Sequence, residues 1–312
     1  MSTPNPHWSQ TSSRLFNACP RAWVNTYRPT NASLNQDDKL HELKGIEVAG
    51  TVDHALVHTM RQAWLQRTRD LFVGKRWTKP FLRTWFLKHL QSTMPKSAED
   101  LPELHLKMST EESLRQLNLL EETQTLRPIV HRQPRRWAYF ERRQHANVDQ
   151  HTLYAAPDLA VFHQHQWTLI RIQFRSSPKT ALSQQLEHLL MVHWAMNQTG
   201  FPNEFTSYRI RIIRWSYGRW VEHQVSVSQN LLKQARDLMQ LDLQEMKWTW
   251  RAADSDPSLA LIPLALEQRT CQSCRWREGC PGGDDLVEAK KDQERILRRL
   301  NQMDEIKSLR TE

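Results

Sequence analysis

Between Ile46 and Leu71 the apolar residues Val48, Val52, Leu56, Met60, Ala63 and Trp64 recur at intervals of three and four, which predicts one buried helix face. Upstream, residues 1–40 are mostly polar, apart from a short helical pattern over Ser13–Val24. Residues 75–127 read as further helices, first around Trp77, Phe81, Trp85, Phe86 and Leu90 and then from Leu114 to Leu126, with breaks at Thr78-Lys79-Pro80 and Met94-Pro95. After Pro128 the pattern shortens. Trp137–Glu141, Asp158–Phe162 and Trp167–Phe174 read as strands, and Ala181–Asn197 as a long helix ending near Gly200. Tyr208–Trp215 alternates Arg with Ile, and Tyr217-Gly218 turns it into a partner strand over Trp220–Val227. A periodic helix covers Ser228–Trp250, and a charged helix with Ile296, Leu297, Leu300, Met303 and Leu309 closes the chain as a solvated or partner-facing segment. The order predicts an α/β protein, a mixed sheet flanked by helices with a helical insertion, in segments 1–49, 50–127, 128–227, 228–285 and 286–312.

Charge changes the picture first. Lys+Arg 43 against Asp+Glu 34 leaves +9, which favours a polyanionic partner and above all nucleic acid. Only 8 glycines occur in 312 residues, well below the usual ~7%. No G-x-G-x-x-G and no Walker A loop is present, which excludes kinases, Rossmann dehydrogenases and P-loop motors. The 13 tryptophans argue for a packed core. Met1–Gln10 has no apolar leader and Leu259–Leu266 is broken by Pro263, so a soluble, cytoplasmic protein without a membrane segment is expected.

The 4 cysteines are unevenly placed: Cys19 alone near the start, then Cys271-x-x-Cys274 and Cys280-Pro281. Two disulfides are one use for them, but a chain without a secretion signal is a poor host for disulfides, and four thiolates there more often bind metal. Structural zinc more usually takes two C-x-x-C knuckles, whereas one knuckle, a Cys-Pro and a distant cysteine favour iron–sulfur ligation.

Ser12, Leu15, Cys19 and Pro20, in a Ser-x-x-Leu-x-x-x-Cys-Pro pattern, together with the late C-x2-C-x5-C-P, resemble one nuclease group. The chain is similar over about residues 9–285 to the RecB-like branch of the PD-(D/E)XK nucleases that carries a 4Fe-4S cluster, which includes the AddB subunit of helicase–nucleases and CRISPR-associated exonucleases. The resemblance implies a restriction-endonuclease-like fold in which Cys19, Cys271, Cys274 and Cys280 clasp the N- and C-terminal segments through the cluster. It also implies a Mg2+- or Mn2+-dependent site assembled in a set chain order.

Gly50-Thr51-Val52-Asp53-His54 fits the first part of that order, a helix with Gly-x-x-x-His; read alone, His54 is a helix histidine like His58. Ala156-Pro157-Asp158 fits the second, with Asp158 as the expected divalent-ion ligand beside His54. Where Asp/Glu-x-Lys is expected the chain has Gln173-Phe174-Arg175. Gln173 offers a neutral oxygen in place of a carboxylate, and Arg175 keeps a charge but cannot release a proton. Gln185-Leu186 follows as in the family, with Leu189 where a tyrosine is usual, and Glu141 matches a frequent family glutamate. The departures predict weak or lost catalysis.

Arginines cluster as Arg132, Arg135, Arg136, Arg142 and Arg143, as Arg209, Arg211 and Arg214 on one strand, and as Arg269, Arg275 and Arg277 around the cysteines. Read alone, each is a solvated surface charge. Together, Arg142, Arg209, Arg211 and Arg214 beside Trp137, Trp215 and Trp220 are expected to grip phosphates and stack bases of single-stranded DNA. Two functions follow: a RecB-like nuclease acting in DNA repair, recombination or CRISPR-type processing, or a non-catalytic DNA-binding subunit that partners a helicase or an active nuclease. A zinc-stapled structural protein is the third alternative.

Overall fold

The computed structural model describes residues 5–28, 52–94, 102–131, 136–175, 182–256, 258–272 and 274–309, the stretch 303–309 as backbone only. Gly50, Thr51, Arg132 and Arg135 lie outside the described residues. In chain order the elements are α1 (Gln10–Ala18), α2 (Pro20–Tyr27), α3 (Val52–Phe72), α4 (Lys79–Thr93), α5 (Glu103–Leu120), α6 (Arg127–Val130), β1 (Trp137–Tyr139), β2 (Ala146–Val148), β3 (His151–Tyr154), β4 (Leu159–His163), β5 (Gln166–Gln173), α7 (Leu182–Met196), β6 (Tyr208–Ser216), β7 (Arg219–Val225), α8 (Gln229–Ser255), α9 (Gln268–Gln272) and α10 (Leu286–Leu309). The protein is mixed α/β. It divides into two compact units, Leu40–Arg236 and, from the chain ends, Met1–Lys39 with Asp237–Glu312.

Within Leu40–Arg236 a five-stranded sheet runs in the order β1-β4-β5-β6-β7. Three strands, β1, β4 and β5, are antiparallel neighbours, β6 pairs parallel to β5, and β7 closes antiparallel. The parallel pair needs a crossover, and α7 supplies it. Tight turns join three of the antiparallel pairs, β2–β3, β4–β5 and β6–β7. Asp149-Gln150, Gln164-His165 and Tyr217-Gly218 all have positive φ at both central residues, the hairpin geometry that matches strand twist. Tyr217-Gly218 announces itself by its glycine. The β2–β3 hairpin does not, because Asp149-Gln150 carries none, and it is an element the hydrophobic pattern missed.

β5 fixes which face is which. Ile170, Ile172 and Phe174 enter a core built with Leu56, Met60, Leu82, Phe86 and Leu117 from α3, α4 and α5. The alternate residue Arg171 points the other way and bonds Glu187 of α7. Helices therefore cover both faces, and β5 is buried along most of its length, Arg171 included.

In the other unit the expected helix over Ser13–Val24 is two helices. The chain breaks at Cys19-Pro20: Cys19 is extended, closes α1 through its N–H to Leu15 O, and caps α2 with its own sulfur. Pro20 cannot continue α1 but suits the first position of α2. Asp242 accepts from Trp8 Nε1 at 2.9 Å and Ser13 Oγ at 2.7 Å, and Trp23 stacks on Trp250 at 5.3 Å, so α8 holds this segment. Among the described residues no helix is long and apolar enough to cross a membrane.

Candidate functional sites

Two places concentrate chemistry, one in each unit. The first is at the start of β4 and the end of β5. Asp158 directly precedes β4, whose register with β5 begins Leu159↔Ile170, and its backbone N–H donates to Ile170 O. Its carboxylate accepts from Arg142 Nε at 2.9 Å, from Arg142 Nη2 at 3.1 Å and from the Ile172 N–H at 2.7 Å. Arg142 Nη2 also donates to Ile172 O at 2.8 Å. A carboxylate and a backbone carbonyl are thus both held by one guanidinium. Arg171 Nη1 stands 3.6 Å from Asp158, and Arg171 Nη2 donates to Glu187 at 3.0 Å. Burial works against the Asp158 charge, but Arg142, Arg171 and the Ile172 N–H outweigh it and hold the carboxyl below the usual carboxylate range.

Arg142 reaches this position from the turn that follows β1. The Gln144 N–H closes that turn on Glu141 O, Trp194 of α7 donates to Gln144 O, and Arg69 of α3 pairs with Glu141. Glu141, expected at a sheet edge or as a further carboxylate, thus braces the turn. The strand expected to reach it stops at Tyr139 because this turn begins.

The remaining expected residues divide. Gln173 shares the α7-facing side with Arg171, and its amide nitrogen meets His188 Nε2 at 3.2 Å. Arg175 turns instead to Asp53 at 2.6 Å, at the start of α3, and His54 beside it is exposed. Gln185 is exposed in the first turn of α7. Among the described residues no group of three or more His, Cys, Asp or Glu could hold a metal ion, and His54 and Asp158 form none. The donors present, one carboxylate already satisfied and one neutral amide, do not fit a hard divalent cation. Residues not singled out by sequence, Arg171, Glu187 and His188, complete this cluster. Arg171 carried the clearest signal, a charge inside an otherwise apolar strand.

His188 is buried and uncharged. Burial first, and then Arg171, His223 and Arg142, lower its pKa to about 3. A histidine neutral in the folded state destabilises folding as pH drops below its unfolded value of ~6.5, because only the unfolded chain then takes the proton. At pH 5 that costs about 2 kcal/mol, from ~1.4 kcal/mol per unit over 1.5 units. Replacing His188 with Gln should therefore flatten the fall in melting temperature between pH 7 and 5. Parallel curves for the two proteins would remove His188 as the cause.

The arginine row on β6 splits by register. Arg209 and Arg211 align with Thr168 and Ile170, on the side away from α7, while Arg214 aligns with Gln173 on the α7 side. Arg211 and Arg214 are three positions apart, so the two-residue strand period sends them to opposite faces. Nor are the tryptophans open platforms. Trp137 and Trp220 pack on the core, Trp220 donates to Gln116 O, and Arg115 lies 5.2 Å over Trp215.

The second place is the cysteine pocket. Cys19, Cys271, Cys274 and Cys280 line one cavity with Ala22, Leu264, Ala265, Trp276 and Gly283. All four thiols are free. From Cys271 the chain descends through turns in which the N–H groups of Cys274, Arg277, Cys280 and Gly283 each bond the carbonyl three residues back. That step of three brings three cysteines to one wall. A Cβ at Gly283 would stand 2.4 Å from Arg277 O, so the last turn requires glycine. Opposite, Cys19 Sγ accepts from the Ala22 N–H at 3.4 Å, and Leu266 N–H bonds Ala18 O. Burial pushes the Cys19 and Cys271 thiols up, and the neighbouring thiols add to it. Arg275 donates to Thr26 of α2 and lies over Trp276, Arg277 donates to Gly283 O, and Arg269 pairs with Glu267.

Scans against family models and against curated proteins find no match for this chain.

Proposed function

We propose that this protein is a single-stranded-DNA-binding relative of the RecB-like PD-(D/E)XK nucleases in which hydrolysis has been lost, and that it acts with a separate helicase or nuclease in the cytoplasm. The observation that supports this reading is the grip of Arg142 on Asp158 and Ile172 O, which leaves that carboxylate and carbonyl already engaged by a guanidinium. Supporting it are the positions of Asp158 and Gln173-Phe174-Arg175 on adjacent strands and the shared cavity of four thiols.

Cys19, Cys271, Cys274 and Cys280 are the residues that would hold a 4Fe-4S cluster. Four free thiols around one cavity, in an apolar shell of Leu15, Leu264 and Leu286, suit such a group. One Cys-x-x-Cys knuckle, a Cys-Pro and a distant cysteine favour a cluster over tetrahedral zinc. When bound, the cluster would supply a cross-link. The chain's own residues do the rest: the turns from Cys271 to Gly283 set the three C-terminal sulfurs, Cys19 supplies the fourth, and Arg275 ties the loop to α2.

Arg209 is exposed and Arg211 half-buried, on one side of β6, and they form the electrostatic part of the DNA contact. With about five phosphates neutralised, log affinity should fall with log salt at a slope near −3.5, using roughly −0.7 per contact. Binding of a labelled single strand, followed by anisotropy, should be equal in EDTA and in magnesium. Arg209→Ala with Arg211→Ala should flatten the slope by about 1 to 1.5. No binding at low salt would overturn the DNA role, and binding strictly dependent on magnesium would return the cation to the site.

A further inference from the structure

Trp77, just before α4, and Phe81, Trp85 and His89 within it are spaced by four, which sets their rings in one column along the helix. The rings touch. Phe81 meets Trp77 edge-on at 4.9 Å and 79°, Trp77 tilts against Trp85 at 5.5 Å, and Trp85 stacks on His89 at 3.6 Å and 12°. Two polar contacts fix the column: Trp77 Nε1 donates to Asp70 at 2.7 Å, and His89 Nδ1 lies 2.9 Å from Trp85 O. The core does not account for it. Leu82, Phe86 and Leu90 are the residues that α4 buries; Trp77 and Trp85 are only partly buried, and Phe81 is 51% exposed. The charge beside the column is mostly positive. Lys75, Arg76, Lys79 and Lys88 are exposed, α4 contains no acidic residue, and Lys88 follows Trp85 by three residues, on the same side of the helix. The carboxylate that touches the column, Asp70, is engaged by Trp77 and by Gln66.

We infer that this column is a base-stacking surface for single-stranded DNA, with Phe81 as its outermost ring and Lys88 as a phosphate contact beside it. The inference rests on the single-strand reading proposed above and supplies its stacking half, for which Trp137, Trp215 and Trp220 are not open. Every base has a π-face, so stacking on an aromatic ring tolerates any sequence, and a neighbouring cation holds the backbone. The edge-on contact with Trp77 leaves at least one face of Phe81 clear of ring contact. Nucleic acid answers both features at once, flat bases for the rings and phosphates for the lysines, whereas an apolar protein surface answers only the rings. The two halves of the contact also share a side of the sheet. Arg211 aligns with Ile170, and Ile170 faces the core that Leu82 and Phe86 of α4 help to build.

The test compares, on the full chain in EDTA, a labelled oligothymidine with an abasic strand of the same length, which keeps the phosphates and removes the bases. By anisotropy the thymidine strand should bind about tenfold more tightly, and it should quench tryptophan fluorescence where the abasic strand does not. Phe81→Ala should erase most of that preference and leave the salt slope unchanged, while Phe81→Trp should keep the preference. Because the ring is half exposed, the melting temperature of Phe81→Ala should hardly move; a marked fall would assign the ring to the fold and overturn the inference. Lys88→Ala should weaken both strands alike and reduce the salt slope by about 0.7. Equal binding of the two strands by the wild type, or a preference that survives Phe81→Ala, would overturn the stacking surface and leave the DNA reading standing. If neither strand binds, the DNA reading fails and the stacking surface with it. Self-association that Phe81→Ala abolishes, with strand binding unchanged, would give the column to a second copy of the chain and also overturn it.

Discussion

Replacing Cys19 with alanine is expected to release bound iron and unfold or aggregate the Met1–Lys39 and Asp237–Glu312 unit. Cys19 and Cys271 lie at opposite ends of the chain yet face one cavity. Joining them through a shared group closes a loop of most of the chain. For a covalent link that long, the unfolded state loses conformational freedom worth roughly 4–5 kcal/mol. Without the group, the buried thiols and the turns that carry them have little else to fix them. Among the described residues a few hydrogen bonds cross between the two chain ends there: Leu266 N–H to Ala18 O, Arg21 to Leu259 O, and Arg275 and Trp276 to Thr26. Iron content, absorption and melting, measured on anaerobically purified protein, check this. A soluble Cys19→Ala protein with unchanged melting, from a wild type that holds no iron, would refute the clasp.

Asp158→Ala separates a lost metal site from a working one by the sign of its effect on stability. In a site built for a cation, carboxylates repel one another when the cation is absent, and removing one leaves stability in EDTA unchanged or improved. Here Asp158 answers Arg142 and Arg171, and Arg171 is almost fully buried. Breaking a buried pair leaves an uncompensated charge and costs about 3 kcal/mol, taken at the low end because Arg142 is partly exposed. For a unit of this size that corresponds to a drop of about 6–12 °C in melting temperature. An unchanged or higher melting temperature for Asp158→Ala in EDTA would mean that the carboxylate is held for a cation after all.

Most of the sheet was readable from period and punctuation. Trp167–Phe174 reads as a strand and covers nearly all of β5, and β6–β7 stood out as an alternating hairpin around Tyr217-Gly218. The break at Cys19 was hidden because apolar spacing continues through it; only Pro20 marks it. In the candidate site, the sequence singled out Asp158 and Gln173-Phe174-Arg175. It could not show that Arg142, sixteen residues before Asp158 and in a turn, would fold back onto it. Such a contact depends on where α3 and α7 hold that turn, and no local pattern encodes it. The arginine row on β6 misled for the opposite reason: residues close in sequence part company whenever an odd number of positions separates them on a strand.

Cleavage of a labelled single strand in magnesium and in manganese tests the central claim most directly. It should include the wild type, Gln173→Glu with Arg175→Lys, and the same pair with Arg142→Ala. Sequence alone suggests that the pair restores the motif, but while Arg142 holds Asp158 and Ile172 O the pair should remain inactive. The expected result is no cleavage by the wild type in either metal and a gain only when Arg142 is also removed, lost again on Asp158→Ala. Robust metal-dependent cleavage by the wild type that disappears in Asp158→Ala would contradict it.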